Sequence, residues 1–267
     1  MLAQYYVGRL HLAGTVVAKD DATAVSWLRK AAGQGYVPAM HDLGVVYERA
    51  PDGLRDVAEA ARWYEEAASL NHAPSQTNLA VLYQEGRGVP ENPSLAAEWY
   101  RKAALQGELR AQHNLGNLYL EGRGVPQDDT EARRWFESAA EMNDGAGLFS
   151  LAKLYASGRA VVKDLERASA LTRQAARRGY PAAQYMHALA LLVRRPPEES
   201  EAVRWLKRAA VQENADAQYM LGVMLGEGRG IQTDMAESLG WLQKSAQKGH
   251  PGAIDLLRRA NVPTPLP

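Results

Sequence analysis

Six tryptophans of this chain lie in a single register. Trp27, Trp63, Trp99 and Trp135 follow one another at intervals of 36 residues, and the series continues, after one leucine and one 34-residue step, at the remaining two. The full set of equivalent positions is Trp27, Trp63, Trp99, Trp135, Leu171, Trp205 and Trp241. Self-similarity at a fixed period of this size is typical of solenoids, in which each unit buries its apolar face only against its neighbours. The spacing therefore predicts about seven stacked units.

One unit can be followed through residues 110–140. Apolar residues recur at helical spacing over 110–121, which predicts a first helix, helix A. Gly122-Arg123-Gly124-Val125-Pro126 ends it, and Asp128 is placed to cap a second helix, helix B. Trp135 and Ala139 fall on the predicted buried face of helix B, so we expect the tryptophan rings to fill the core. The equivalent capping positions are Asp20, Asp56, Asn92, Asp128, Asp164, Glu198 and Asp234.

These residues resemble the Sel-one-like repeats (SLR), which are related to tetratricopeptide repeats. The resemblance lies in Ala111-Gln112 through Tyr119, in Glu121-Gly122-Arg123-Gly124-Val125, and in Asp128, Ala132 and Trp135. It extends over roughly residues 3 to 260 and is broken at 50–53 and 194–197, where we expect different loops. The resemblance implies an all-α, right-handed α-solenoid with helix A on the concave side, used as a scaffold or adaptor.

The predicted domain organisation is a single solenoid over residues 1–260. Its repeats are expected at about 3–32, 33–68, 69–104, 105–140, 141–176, 177–210 and 211–246. Residues 251–260 are predicted to form a capping helix with a polar outer face, because Asp255, Arg258 and Arg259 replace apolar or small residues. The proline-rich segment 261–267 is expected to be an extended tail. The chain begins inside a helix A, which suggests that upstream sequence was trimmed.

Charge and composition exclude several classes of partner and chemistry. The 31 Lys and Arg balance the 31 Asp and Glu, so the sequence predicts neither a nucleic-acid partner nor binding to an anionic membrane. No apolar stretch approaches the roughly 20 residues of a membrane span. Because the chain has no Cys, disulfides, thiolate metal sites and cysteine nucleophiles are excluded. As written the sequence predicts a cytoplasmic protein, or a periplasmic one if an N-terminal signal was removed.

Three patterns resemble catalytic or ligand-binding motifs, and each has a simpler structural interpretation. Ser150-Leu151-Ala152-Lys153 and Ser245-Ala246-Gln247-Lys248 match Ser-x-x-Lys, but the other motifs of penicillin-recognising enzymes are missing. The six histidines form no metal site that the repeat spacing can assemble. The Gly-Arg-Gly loops lack the preceding strand of a phosphate-binding loop, so their arginines are expected to pair with neighbouring hairpins. No catalytic residue, cofactor or metal is therefore predicted.

Function is expected where the repeats differ, on the side of helix A away from its core stripe. The positions of His113 and Asn117 lie on that side. The candidate partner-binding residues there are Tyr5, Arg9, His41, His113, Asn117, Phe149, Lys153, Tyr185 and Tyr219. Recurring exposed aromatics are typical anchors of an interface. The alternative is that superhelical packing buries these rings between adjacent A helices.

Two functions remain open from the sequence. The first is a non-catalytic protein–protein interaction scaffold or adaptor that binds a peptide or protein of unidentified sequence on the concave surface. The second is an envelope-associated enzyme or ligand-binding protein that acts on a small molecule such as a β-lactam or a glycan. A deep enclosed pocket containing a residue with a shifted pKa would favour the second function. An open trough would favour the first.

Overall fold

The computed structural model describes residues 1–51 and 53–262, which form fifteen α-helices and no strand. The helices are α1 (Leu2–Ala13), α2 (Asp21–Ala32), α3 (Val37–Arg49), α4 (Val57–Ser69), α5 (Ala73–Glu85), α6 (Pro93–Leu105), α7 (Leu109–Glu121), α8 (Asp129–Glu141), α9 (Gly145–Ser157), α10 (Leu165–Arg177), α11 (Pro181–Leu192), α12 (Glu199–Val211), α13 (Ala215–Glu227), α14 (Met235–Gln247) and α15 (Pro251–Arg259). Odd-numbered helices are the predicted A helices and even-numbered helices up to α14 are the B helices. The all-α fold of successive helical hairpins is confirmed. In this part of the chain no helix is both long and apolar enough to cross a bilayer.

The chain divides into two compact units, residues 1–135 and residues 136–267. In the first unit each A helix packs on its own B helix, and that B helix packs on the next A helix, from α1 to α7. The second unit repeats this pattern from α9 to α14, and α15 packs on α14. Each unit is therefore a stack of helical hairpins around a shared apolar core.

The predicted caps form at nearly every B helix. The side chain of Asp56, for example, accepts a hydrogen bond of 2.9 Å from the Glu59 amide, and Asp128 accepts bonds of 2.9 and 3.0 Å from the amides of Thr130 and Glu131. These bonds satisfy free amides at the helix start. Glu198 is the exception: it makes no side-chain cap at α12, and its carboxylate pairs with Arg194.

The tryptophans do not fill the core as expected. All six rings are half-buried, and in each of their six helices the large side chain that is buried is that of the residue after the tryptophan. Tyr64, Tyr100 and Phe136 are at most 1% exposed. The prediction of a buried tryptophan core was wrong by one position, because both residues lie within the apolar stripe of the helix and only one points between helices A and B. Cations cover the outer faces of several tryptophans: Lys102 lies 3.9 Å from the centre of the Trp99 ring.

The predicted departures at two loops and at the C-terminal end are present. Helix α3 ends at Ala50 in an extended conformation, and α11 ends at Val193 in a right-handed one, whereas α5, α7, α9 and α13 end at left-handed glycines. Helix α15 lies in the segment predicted to cap the stack, and Asp255, Arg258 and Arg259 on it are exposed. Asp52 and residues 263–267, most of the predicted tail, lie outside the described residues.

Candidate functional site

The candidate surface consists of the side chains at the positions of His113 and Asn117 on successive A helices, and it is called the helix-A surface below. In the first unit it begins with Tyr5, which is 7% exposed and packs on Tyr36 with ring centres 4.9 Å apart. Arg9 donates a 3.3 Å hydrogen bond to the Tyr5 hydroxyl and lies 3.9 Å from Asp42. Burial raises the pKa of Asp42, and Tyr5 and Arg9 oppose that shift. The surface is therefore polar at this end, with its charges partly neutralised.

His41 is the next residue of the surface and belongs to a small polar cluster. Its Nδ1 lies 2.9 Å from Ser75 Oγ, which is also 2.9 Å from Nδ1 of His72. The two rings are 5.0 Å apart. Burial, reinforced by His72, lowers the pKa of His41 to about 4. Both imidazoles are therefore neutral at pH 7, since burial also lowers the pKa of His72.

Sequence reasoning missed this cluster, because His72 and Ser75 stand at the start of the following A helix. The contact between His41 and His72 spans 31 residues, and rings recur at the same offset elsewhere in the chain. The other pairs with that offset are Tyr5–Tyr36, Phe149–Tyr180 and Tyr219–His250. The recurrence is a signal in the sequence that these positions are related, but only the stacking of the repeats brings the side chains into contact. No group of three or more potential metal ligands occurs in the described part of the chain.

His113 and Asn117 complete the surface in the first unit. Both are half-buried, and Asn117 Nδ2 lies 3.5 Å from His113 Nε2. They are one helical turn apart on α7, which is why their side chains meet. The structure thus places both at the predicted face with part of each side chain open to solvent.

In the second unit the surface is aromatic. Phe149 lies 5.5 Å from the Tyr180 ring and 6.0 Å from Lys153 Nζ. Tyr219 stacks on His250 at 4.5 Å. Tyr185 is half-buried on α11, and burial raises the pKa of its hydroxyl. These rings pack on a neighbouring side chain with one part and remain open to solvent with another, so packing and binding share the same residues.

The two Ser-x-x-Lys serines are structural. Ser150 is 3% exposed and Ser245 is fully buried. The Ser245 hydroxyl donates a 2.8 Å hydrogen bond to the carbonyl of Ala215, and Lys248 pairs with Glu213 at 2.9 Å. A nucleophile must reach its substrate, and neither hydroxyl is accessible.

The Gly-Arg-Gly loops join neighbouring repeats, as predicted. The guanidinium groups of three of them reach a carboxylate of the preceding repeat: Arg87 bonds Glu48 at 3.2 Å, Arg123 bonds Glu91 at 3.3 Å and Arg229 bonds Glu199 at 2.9 Å. The second glycine of each loop lies against the first turn of the preceding B helix. At Gly124 an added Cβ would be 2.1 Å from the Pro93 carbonyl oxygen, so only glycine fits this contact.

Comparison with known proteins agrees with this geometry. The sequence profile described as the Sel1 repeat matches residues 2–36, 37–72, 73–108, 109–144, 145–180, 181–213 and 215–250. A solved Sel1 repeat protein from Oxalobacter formigenes is 32% identical with a TM-score of 0.77, covering 97% of this chain and 75% of that one. A protective antigen of uropathogenic Escherichia coli with an SLR fold is 29% identical with a TM-score of 0.53, covering 97% and 64%.

A shorter similarity links the chain to a chitin synthase regulator from Malassezia restricta. The two are 39% identical over 54 residues, which are 20% of this chain and 4% of that protein. The chain therefore spans only a small part of that relative. Proteins built from these repeats generally mediate protein–protein interactions, and the fold is typically non-catalytic.

Proposed function

Because the chain belongs to the Sel1 repeat family, we propose that it is a non-catalytic adaptor that binds a protein or peptide partner on the helix-A surface. The observation that carries this proposal is the series Phe149, Tyr185 and Tyr219. These rings stand on three successive A helices of the second unit and stay partly open to solvent. Partly exposed aromatic side chains on a rigid support are typical anchors of an interface, because they bury a large area at little entropic cost.

The alternative, an envelope enzyme acting on a β-lactam or glycan, lacks an accessible nucleophile among the candidates that the sequence raised. Both motif serines are buried. His41 has the shifted pKa that an active site would need, but its Nδ1 is engaged by the fully buried Ser75. The polar cluster in the first unit is therefore better explained as a satisfied packing contact.

The test begins with affinity capture on the wild-type chain, identification of the captured proteins by mass spectrometry, and purification of each candidate. Binding of the purified partner is then measured with the triple variant Phe149→Ala, Tyr185→Ala and Tyr219→Ala. Interface anchors cost about 2 kcal/mol or more each when truncated, so partial additivity predicts a loss of more than about a hundredfold in affinity. Circular dichroism should show nearly unchanged helix content.

A matched control truncates three apolar side chains away from the helix-A surface: Leu105→Ala, Val162→Ala and Val211→Ala. These residues are 74%, 88% and 71% exposed. The control should bind the partner like the wild type. A folded triple variant with wild-type affinity would move the site off the helix-A surface, and a triple variant that unfolds would favour a purely structural role for the rings.

A further inference from the structure

Helices α10 and α11 each break the repeat pattern at one position where other repeats carry a core side chain. Thr172 occupies the position at which the other repeats carry a large apolar side chain. The equivalents of Thr172 are Leu28, Tyr64, Tyr100, Phe136, Leu206 and Leu242. Ala190, on the following helix α11, replaces another large residue. The equivalents of Ala190 are Leu10, Val46, Leu82, Leu118, Leu154 and Met224.

The two replacements leave a cleft of about 340 Å³ between α9, α10 and α11. Thr172 and Ala190 both line it, with three further alanines and Ser169. Phe149 and Met186 form its apolar sides, and Met186 is 46% exposed. Ligand clefts range over roughly 300–1,000 Å³, so this one suits a single large side chain rather than a cofactor.

The cleft opens on the helix-A surface. Phe149 and Lys153, two of the residues predicted for partner binding, line it directly. A chain that crosses the helix-A surface of the second unit would therefore pass the mouth of the cleft. The cleft is deep enough to enclose a side chain, which the partly exposed rings on this surface cannot do alone.

The surroundings of the cleft are strongly basic. Residues 145–195 contain nine Lys and Arg against two Asp and Glu, a net charge of +7 in a chain whose total is zero. Among the described residues, Lys153, Arg173 and Arg177 make no ion pair with a carboxylate. The free cations favour an acidic partner.

His187, on the cleft wall, responds to the same charges. Burial lowers its pKa, Glu201 opposes that shift, and Arg173, Arg194 and Arg177 lower it further. Arg173 and Arg177 are thus close enough to the cleft to act on a group inside it, whereas Arg194 is paired with Glu198. The positive charges of Arg173 and Arg177 would attract the carboxylates of a bound segment.

We propose that this cleft receives one large aromatic side chain from an acidic peptide segment of the partner, whose carboxylates are bound by the surrounding cations. The inference rests on the proposed function and adds the chemistry of the partner. An aromatic ring fills the volume that Tyr or Phe occupies in other repeats, and Lys153 stands at the rim. The lining holds four alanines and only two rings, Phe149 and His187, and so lacks the row of aromatic side chains on which successive bases stack, which favours a peptide over a nucleic acid.

The test uses a short fluorescein-labelled peptide with a central tryptophan between two pairs of glutamates, measured by fluorescence anisotropy on the full chain. Reference peptides carry alanine at the centre or lysines at the flanks. Each change to the peptide should weaken binding by about tenfold or more, because one loses the apolar contact and the other the charge complementarity.

Ala190→Leu restores the leucine of the other repeats and fills the cleft. It should keep or raise the melting temperature and weaken binding of the tryptophan peptide about tenfold. The matched control, Ala170→Leu, places the same side chain at an exposed position of α10 outside the cleft and should bind normally. Should Ala190→Leu fail to fold, Met186→Ala opens the exposed wall and should weaken binding about threefold or more.

Three results would overturn the proposal. They are unchanged affinity in a folded Ala190→Leu variant, no preference of the wild type for tryptophan, and tighter binding of a labelled single-stranded oligonucleotide than of the acidic peptide. The adaptor function is tested separately by the captured partner. If that partner needs Tyr185 and Tyr219 but tolerates Ala190→Leu, the helix-A surface binds it without using the cleft.

Discussion

Replacement of neighbouring residues on α6 tests which side chain of each B helix holds the stack together. Tyr100 is 1% exposed, and its hydroxyl donates a 2.9 Å hydrogen bond to Gln84. Trp99 is larger but half-buried, with its outer face against Lys102. We therefore expect Tyr100→Ala to destabilise the chain more than Trp99→Ala, although tryptophan has more surface to lose.

The magnitude follows from the buried area. A tyrosine ring that buries roughly 160 Å² at about 25 cal/mol per Å² contributes about 4 kcal/mol, which also lies within the usual range for truncating a buried aromatic residue. A half-buried tryptophan contributes about half as much. For a chain of this size the two changes should lower the melting temperature by roughly 10 °C and 5 °C.

The assay is thermal unfolding followed by circular dichroism at 222 nm, which reads helix content and does not depend on the tryptophan that is removed. Tyr100→Phe is the control: it keeps the ring and loses the bond to Gln84, so it should cost only about 1 kcal/mol. A larger loss in Trp99→Ala than in Tyr100→Ala would refute the assignment of the core.

Three further predictions concern stability. Gly124→Ala should lower the free energy of unfolding by about 3 kcal/mol or more, because its Cβ would meet the Pro93 carbonyl. The control Gly107→Ala has a similar φ but open space around it, so it should lower the free energy of unfolding by only about 1 kcal/mol. Urea titrations compare the two variants. The pKa of His41 is about 4 in the folded chain and near 6.5 in the unfolded chain, so the unfolded chain binds a proton first as the pH falls. The contribution of neutral His41 to stability is therefore present above pH 6.5 and is lost as the pH falls towards 4. The free energy of unfolding, measured by denaturation between pH 6.5 and pH 4, should depend less on pH in His41→Gln. Ser245→Ala should lower stability by about 1 kcal/mol through loss of its buried hydrogen bond and leave partner binding unchanged, and a loss of binding alone would give the serine a functional role.

Much of the fold could be predicted because equivalent residues recur at a fixed period in the sequence. The hairpins, the aspartate caps and the pairing of Arg87, Arg123 and Arg229 all follow from local rules or from comparing one repeat with the next. A cap depends on residues two or three positions away, and a periodic position has the same environment in every repeat. These features therefore need no knowledge of how the helices cross.

The choice between Trp99 and Tyr100 as core residue could not be made in this way. Adjacent residues on a helix differ by about 100°, and an apolar stripe is at least that wide, so both fall within it. The crossing of helices A and B decides which one is enclosed. The sequence marks the tryptophan by its size and its regularity, while the enclosed position varies among Leu, Tyr and Phe and attracts less notice.

The candidate site was predictable as a set of positions but not as a set of contacts. Phe149 and Lys153 were identified from the helical wheel, yet their cleft depends on Thr172 and Ala190, which stand on two other helices. Likewise, the contact of His41 with His72 depends on the rise from one repeat to the next. Such relations need the stacking geometry, which the period alone does not supply.

The most direct measurement of the central claim is hydrogen–deuterium exchange of the chain with and without its purified partner, resolved by mass spectrometry to single helices. Binding on the helix-A surface predicts slower exchange in the A helices of the second unit, α9, α11 and α13, with little change in the B helices α10, α12 and α14. Protection confined to the B helices, or to the loop at 193–198, would contradict it.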